Sequence, residues 1–331
     1  MPPIRIVSGE ENSAYSRTIA DLATILDGDD PQLQAIASQG PVEDLLKLIN
    51  RPEADVAIVQ TDALRSLPES LQGSAKDELR YIFQVPSKEL HVLAPRGITE
   101  IGQLEGRKVN IDRVGTGTHL TARRIFQSLG IRPEFTTDDQ RTAQQRLVSG
   151  EIQAAILLAS SPSSEVLAFP SEGQFHLLPL PAGSLAPDYP PARFTSDDYP
   201  HLVEADEQVA TAAVSRVLAV RNWPEGSSRY RRLVRLAQAI DAHSYELDRL
   251  GHPPRWKDIR EAGVPGWLRF KPVQDLLELR IQRTDEQRAF ETFATSEGNC
   301  SLPISWGHYE DLYKDFIEWR RARENGGRPT R

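Results

Sequence analysis

The sequence predicts an α/β protein of two domains, built from parallel strands joined by crossover helices. Three observations carry this. The order short apolar strand, polar turn, amphipathic helix occurs three times before residue 68. It returns at Lys108–Leu129 and again before Ala154. A length of 331 residues with 39% hydrophobic content allows ample core, and ordinary domain sizes divide such a chain in two.

Ile4 to Val7 reads as a β-branched strand, followed by the turn Ser8-Gly-Glu-Glu-Asn-Ser13 and a helix with Tyr15, Ile19, Leu22, Ala23 and Leu26 on one face. Ala35 to Ala37 is a weak strand ending at Ser38-Gln-Gly-Pro41, after which Val42, Leu45, Leu46 and Ile49 repeat at helical spacing. Asp55 to Val59 is a buried strand ending at Gln60-Thr-Asp62, and a helix is expected over Ala63 to Leu67.

Leu79 to Val85 and Glu89 to Ala94 read as two strands separated by Pro86-Ser-Lys88, with a domain change near Pro95-Arg-Gly97. Ile101 to Leu104 is helix-like and Lys108 to Ile111 a strand. Gly115-Thr-Gly-Thr118 then opens a helix carrying Ala122, Ile125, Phe126 and Leu129 on one face and ending near Gly130. A helix around Ala143 to Val148 precedes the apolar strand Ala154 to Leu158 and the turn Ala159 to Ser163. Phe175 to Leu180 is a strand, and Tyr189 to Pro200 a proline-rich loop. Val209 to Val220 is a strongly β-compatible run, and Tyr230, Leu233, Val234, Ala237, Ile240 and Leu247 mark a helix. Beyond it lie the Trp256 and Trp267 loops, a helix-like stretch from Val273 to Ile281, and a last helix striped by Tyr309, Leu312, Tyr313, Phe316 and Ile317.

The balance of 39 basic against 47 acidic side chains, net −8, offers no broad positive field, so nucleic acid is not an expected partner. No apolar run approaches the roughly 20 residues needed to span a bilayer as a helix. Met1-Pro-Pro-Ile-Arg-Ile-Val enters a strand at once, which leaves two expectations: a cytoplasmic protein, or an exported one whose signal was removed.

Gly115 to Thr118 would present backbone N–H groups and two hydroxyls at a helix N-terminus, an arrangement suited to an anion. It lacks the lysine of a phosphate loop, and Leu120 stands where a dinucleotide fingerprint needs its third glycine. A plain tight turn into a helix is the other reading. The seven histidines include no pair at metal-ligand spacing, so no metal and no cofactor are expected. His119 could serve as a base but more simply bonds locally, and the single cysteine, Cys300, reads as a resting thiol. The carboxylate pairs Asp29-Asp30, Asp138-Asp139 and Asp197-Asp198 read as solvated loop charge. What remains is a set of small polar turns at strand ends, the place where open α/β sheets hold ligands. This points to binding and not to an enzyme.

In order, the strand-turn from Ile4 to Tyr15, Ser38-Gln-Gly-Pro-Val-Glu-Asp-Leu45, Ala54-Asp-Val-Ala-Ile-Val-Gln-Thr-Asp62, Glu89-Leu-His-Val92, Leu104 to Val109, Gly115-Thr-Gly-Thr with Thr121-Ala122, and Ser149-Gly-Glu-Ile-Gln-Ala154 resemble one family. It is the TAXI-type solute-binding subunit of tripartite ATP-independent periplasmic (TRAP) transporters. The resemblance implies a two-lobed type II periplasmic binding protein fold with a ligand cleft between the lobes. Lobe one would be residues 1–91 plus 212–331, with extra C-terminal helices, and lobe two residues 92–211. It also implies a periplasmic or extracytoplasmic monomer that captures a small solute, a glutamate-like amino acid, dicarboxylate or oxo acid, by hinge closure and hands it to membrane permease subunits. Ser8, Gly9, Asn12, Tyr15, Ser38, Gln60 and Thr61 would line lobe one, and Gly115, Thr116, Gly117 and Thr118 lobe two, with Arg193 a candidate carboxylate clamp. Two departures stand out: the first turn carries Glu10 and Glu11 in place of a glycine cluster, and Thr116 replaces a serine. A cytoplasmic sensor or an enzyme on the same fold is the alternative.

Overall fold

The computed structural model describes residues 2–9, 14–26, 32–50, 54–169, 173–185, 189–243, 263–278, 316, 317 and 320. Asn12, Glu10, Glu11, Asp29, Asp30, Leu247, Trp256, Cys300 and most of the expected last helix lie outside them. Residues 1–270 form one compact unit and 271–331 another. In the second, 271–278 is helical, with Val273 and Leu277 buried as the spacing predicts.

In chain order the first unit runs β1 (Ile4–Ser8), α1 (Ala14–Ile25), β2 (Leu33–Ala37), α2 (Pro41–Asn50), β3 (Val56–Gln60), a 3₁₀ turn (Thr61–Ser66) and α3 (Glu69–Glu78). Next come β4 (Leu79–Pro95), a 3₁₀ turn (Ile101–Leu104), β5 (Lys108–Asn110), α4 (Gly117–Leu129), β6 (Glu134–Thr136), α5 (Gln140–Val148), β7 (Ala154–Ala159) and α6 (Ser164–Leu167). β8 (Phe175–Leu177), a 3₁₀ turn (Ala182–Ser184), β9 (Pro191–Thr195), β10 (Gln208–Arg221) and α7 (Ser228–Ala242) complete it.

One sheet contains all ten strands along the path β2-β1-β3-β10-β4-β7-β5-β6, with β8 beside β4 and β9 beside β10. β1, β2 and β3 are mutually parallel, as are β5, β6 and β7. The two parallel groups are the two lobes, and β4 and β10 join them. These strands pair antiparallel with each other from Leu79–Arg221 to Glu89–Ala213, and then part: β4 continues onto β7 and β8, β10 onto β9. At 17 and 14 residues they are the longest strands among the described residues.

Each lobe has its own core. Val7, Leu45, Leu48, Ala57, Val59 and Val217 anchor the first; Ile111, Ile125, Phe126, Ile156 and Val214 anchor one face of the second, and Leu147, Leu157, Phe175 and Phe194 the other. Leu120, on α4 of the second lobe, packs in the core of the first. All of β3 is buried, which explains why it reads as a continuous apolar run. Among the described residues no helix is long and apolar enough to cross a membrane.

Three expectations are corrected. The strands split at Pro86 are one strand, because the register shift opposite Val214 and Arg216 spares the ladder an N–H that proline lacks. The proline-rich loop contains β9, with Pro191 at its first position, where a proline is tolerated. The stretch after β3 is a 3₁₀ turn and not an α-helix; the α-helix comes afterwards, as α3.

Candidate functional site

The C-terminal ends of β1, β2 and β3 meet the N-terminal end of α4 where the lobes join. Thr116 is the N-cap of α4: its hydroxyl accepts from the His119 N–H at 3.2 Å and donates to the Arg113 carbonyl at 2.9 Å. Thr118 is buried, and its oxygen accepts the Leu158 N–H of β7 at 3.2 Å. The predicted cradle is therefore tied into its own lobe, and its glycines face the other lobe. A Cβ on Gly117 would overlap the Gln60 side chain, and one on Gly40, at φ +153°, would overlap the Gly115 carbonyl. Gly40 meets backbone and so must be glycine, and any side chain at Gly117 must displace the buried Gln60 amide.

Gln60, fully buried at the end of β3, donates from Nε2 to Thr121 Oγ1 on α4 at 3.3 Å. Thr121 in turn donates to Asp62 Oδ2 at 2.8 Å, and the Tyr189 hydroxyl donates to the same oxygen at 3.1 Å. Asp62 belongs to lobe one and both of its hydroxyl partners to lobe two. It is only 2% exposed, and its Oδ1 has no hydrogen-bond partner among the described residues. Burial pushes its carboxyl above the usual range, against the pull of the two hydroxyls and of the Arg124 guanidinium. Arg124 is held on Ser66 Oγ at 2.8 Å.

Ser38, also buried, donates to Asp44 Oδ1 in the first turn of α2, and burial raises the Asp44 carboxyl to about 7. Thr61 is half-buried at the start of its 3₁₀ turn, and Gly9 is buried just after β1. Ser8 and Tyr15 lie in β1 and α1, with their side chains outside the described residues. Arg193 is not brought to this junction: it is exposed on β9 and reaches Gln208 Oε1 at 3.4 Å.

A second polar cluster lines the crossing strands. His91, on β4 and fully buried, stacks on Phe194 at 4.3 Å. Its Nδ1 lies 3.0 Å from the Glu89 carbonyl and its Nε2 2.7 Å from the Tyr199 hydroxyl. A carbonyl can only accept, so Nδ1 carries the proton and Nε2 accepts from Tyr199. Burial holds the ring neutral by lowering its pKa to about 4. The Tyr199 oxygen also accepts the Ser163 N–H at 2.7 Å. The Glu89 carboxylate accepts from the Ser161 N–H at 2.9 Å and from Ser87 Oγ at 3.1 Å, and burial raises it to about 7. Arg216, buried opposite on β10, donates from Nε to the Pro86 carbonyl at 2.7 Å.

The sequence reading missed Asp62, Thr121 and Tyr189 as partners. Asp62 and Thr121 belong to two of the motifs already quoted, so their place in a strand-end turn and near the start of a helix was visible. Tyr189 sat in a stretch taken for a loop. The paired acids are also more than solvated charge: Asp139 caps α5, Asp138 pairs with Arg146, and Asp198 bonds Thr195. Among the described residues no group of His, Cys, Asp and Glu could hold a metal ion.

A family model described as the NMT1-like family matches residues 13–230, which span both lobes and every contact of the junction. The chain belongs to the NMT1-like family. No curated protein matches this NMT1-like chain. Among solved structures it is similar to the periplasmic sulfonate-binding protein SsuA of Methylobacillus flagellatus, at 13% identity and a TM-score of 0.48, over 75% of this chain and 69% of that one. It is also similar to a TctC solute binding protein from Polaromonas, at 15% and 0.47 over 78% and 86%. A third is the regulatory domain of CcmR from Synechocystis, in complex with 2-PG, at 14% and 0.42 over 73% and 97%.

Proposed function

We propose that this chain is a solute-binding receptor that captures a small polar solute between its lobes by hinge closure and releases it unchanged. The observation that carries this reading is the junction itself. Two long strands run from lobe to lobe, while the contacts between α4 and lobe one are side-chain bonds, glycine approaches at strand ends and the packing of Leu120 against the lobe-one core. Strands of this kind flex as a pair, and contacts of this kind can part and re-form around a ligand. The polar strand ends supply the lining that an open α/β sheet offers a solute, and of the first-turn N–H groups of α4 that of His119 is held by the Thr116 hydroxyl while those of Gly117 and Thr118 have no partner within the helix.

On this reading the receptor is extracytoplasmic, works as a monomer and passes its solute to the membrane subunits of a TRAP-type permease, as the ordered motifs of the sequence imply. The solute class expected from those motifs is a small amino acid, dicarboxylate or oxo acid. The test is a thermal-shift panel of such compounds on the purified chain, with mass spectrometry of each mixture. A true ligand at 100 times its dissociation constant adds about 2.7 kcal/mol of stability. A panel in which nothing shifts the melting temperature overturns the receptor reading, and conversion of a bound compound overturns release unchanged.

A further inference from the structure

We infer that Asp62 anchors a protonated amine of the solute, so that the receptor selects amine-bearing compounds over their oxo and hydroxy counterparts. The inference rests on the receptor reading and adds the chemical class of one contact.

The hydroxyl protons at the junction are already placed. Thr121 has one, and it lies on Asp62 Oδ2; its oxygen is already taken by the Gln60 amide. The Tyr189 proton lies on the same Oδ2. The Ser38 proton goes to Asp44 and the Thr116 proton to the Arg113 carbonyl. Four hydroxyls around the junction have thus donated elsewhere. What is left over is acceptor: Asp62 Oδ1, and Asp44 Oδ2 beside it in character, are buried carboxylate oxygens with no hydrogen-bond partner among the described residues.

A buried carboxylate oxygen without a donor is unfavourable, and a charged N–H donor is the strongest complement to it. Among the described residues none reaches Oδ1. Arg124, the cation whose field reaches Asp62, is committed to Ser66, and no ion pair joins it to Asp62 among the described residues. Because Oδ2 is held by lobe two and the carboxylate itself belongs to lobe one, an ammonium on Oδ1 would bind where the lobes come together. It would favour the ionised carboxyl that burial disfavours, and with it the two hydroxyl bonds that close the junction. A solute carboxylate, in contrast, would be met by donors such as the backbone N–H groups at the start of α4.

The experiment compares matched compounds by calorimetry and thermal shift on the full chain: L-alanine with pyruvate and L-lactate, L-glutamate with 2-oxoglutarate and 2-hydroxyglutarate, and putrescine as an amine without a carboxylate. The expected result is binding of at least one amine, with any matched oxo or hydroxy acid weaker by at least about tenfold. Asp62→Asn is expected to weaken the bound amine by a similar factor. If an oxo or hydroxy acid binds as tightly as its amine, the amine anchor is overturned and the receptor reading stands. If none of these compounds and none of the wider panel binds, both fall. Should Asp62→Asn fail to fold, the wild-type comparison decides alone.

Discussion

The two polar clusters where the lobes meet are built differently. Around His91 both ring nitrogens, the Tyr199 hydroxyl and both Glu89 carboxylate oxygens have partners, and the ring rides on β4, which pairs with β10 up to Glu89 and with β7 from there on. Around Asp62 the bonds come from side chains of opposite lobes, and one carboxylate oxygen is left over. A cluster carried on strands that run from lobe to lobe cannot open without breaking the sheet. One made of side-chain bonds between separate elements can open to water and exchange its partners. The first is suited to a hinge and the second to a grip.

The sharpest way to break this comparison is Gly117→Val, which drives a branched side chain into the buried Gln60 amide. We expect a loss of about 3 kcal/mol in urea denaturation and the disappearance of any amine-induced thermal shift. An unchanged protein would mean that α4 and β3 do not meet as described.

A pair of variants separates hinge from grip. Tyr199→Phe strands a buried N–H and a buried imidazole nitrogen, and is expected to destabilise by about 2 kcal/mol. Thr121→Val removes one hydroxyl from Asp62, but water can reach a grip that opens, so the expected loss is below about 1 kcal/mol. Equal losses in denaturation would erase the distinction.

The smallest effect is a slope. Glu89 titrates near 7 in the folded state against 4.5 ordinarily, so its contribution to stability is full below about 4.5 and lost as pH rises towards 7. Asp44 acts with the same sign between 3.8 and about 7. His91, lowered from 6.5 to about 4, acts with the opposite sign: its contribution is present above 6.5 and lost as pH falls through 4. Glu89→Gln should therefore make the dependence of stability on pH more positive between about 4.5 and 7, by at most about 1.4 kcal/mol per pH unit. Denaturation midpoints at several pH values check this, and an unaltered slope would show that Glu89 titrates as an ordinary surface carboxylate.

Most elements of the first unit were legible in the sequence because their signals are local. Short apolar runs and helical spacing marked β1, α2, β3 and α4; Gly130, at φ 68°, marks the end of α4; and Thr116, Asp139 and Ser227 cap the helices they precede. The errors fell where a distant strand overrode a local signal. Pro86 reads as a break until β10 places a register shift opposite it, and Pro191 reads as a loop until β10 supplies an edge to extend.

The site divides the same way. Ser38, Gln60 and Gly115 to Thr118 could be picked out because strand-end turns and helix starts are written in adjacent residues. Their roles could not, since a role depends on which partner holds each proton. By itself, the sequence determined the strand-turn-helix order, the parallel groups and the position of the polar turns, through periodicity and capping that act within a few residues. Only the tertiary structure decided that β4 is one strand, that Gly117 seats on Gln60 and that Asp62 keeps one oxygen in reserve. The last two facts arise from residues 57 to 127 positions apart brought into contact, and the first from pairs such as Val85 and Arg216; no local pattern encodes them.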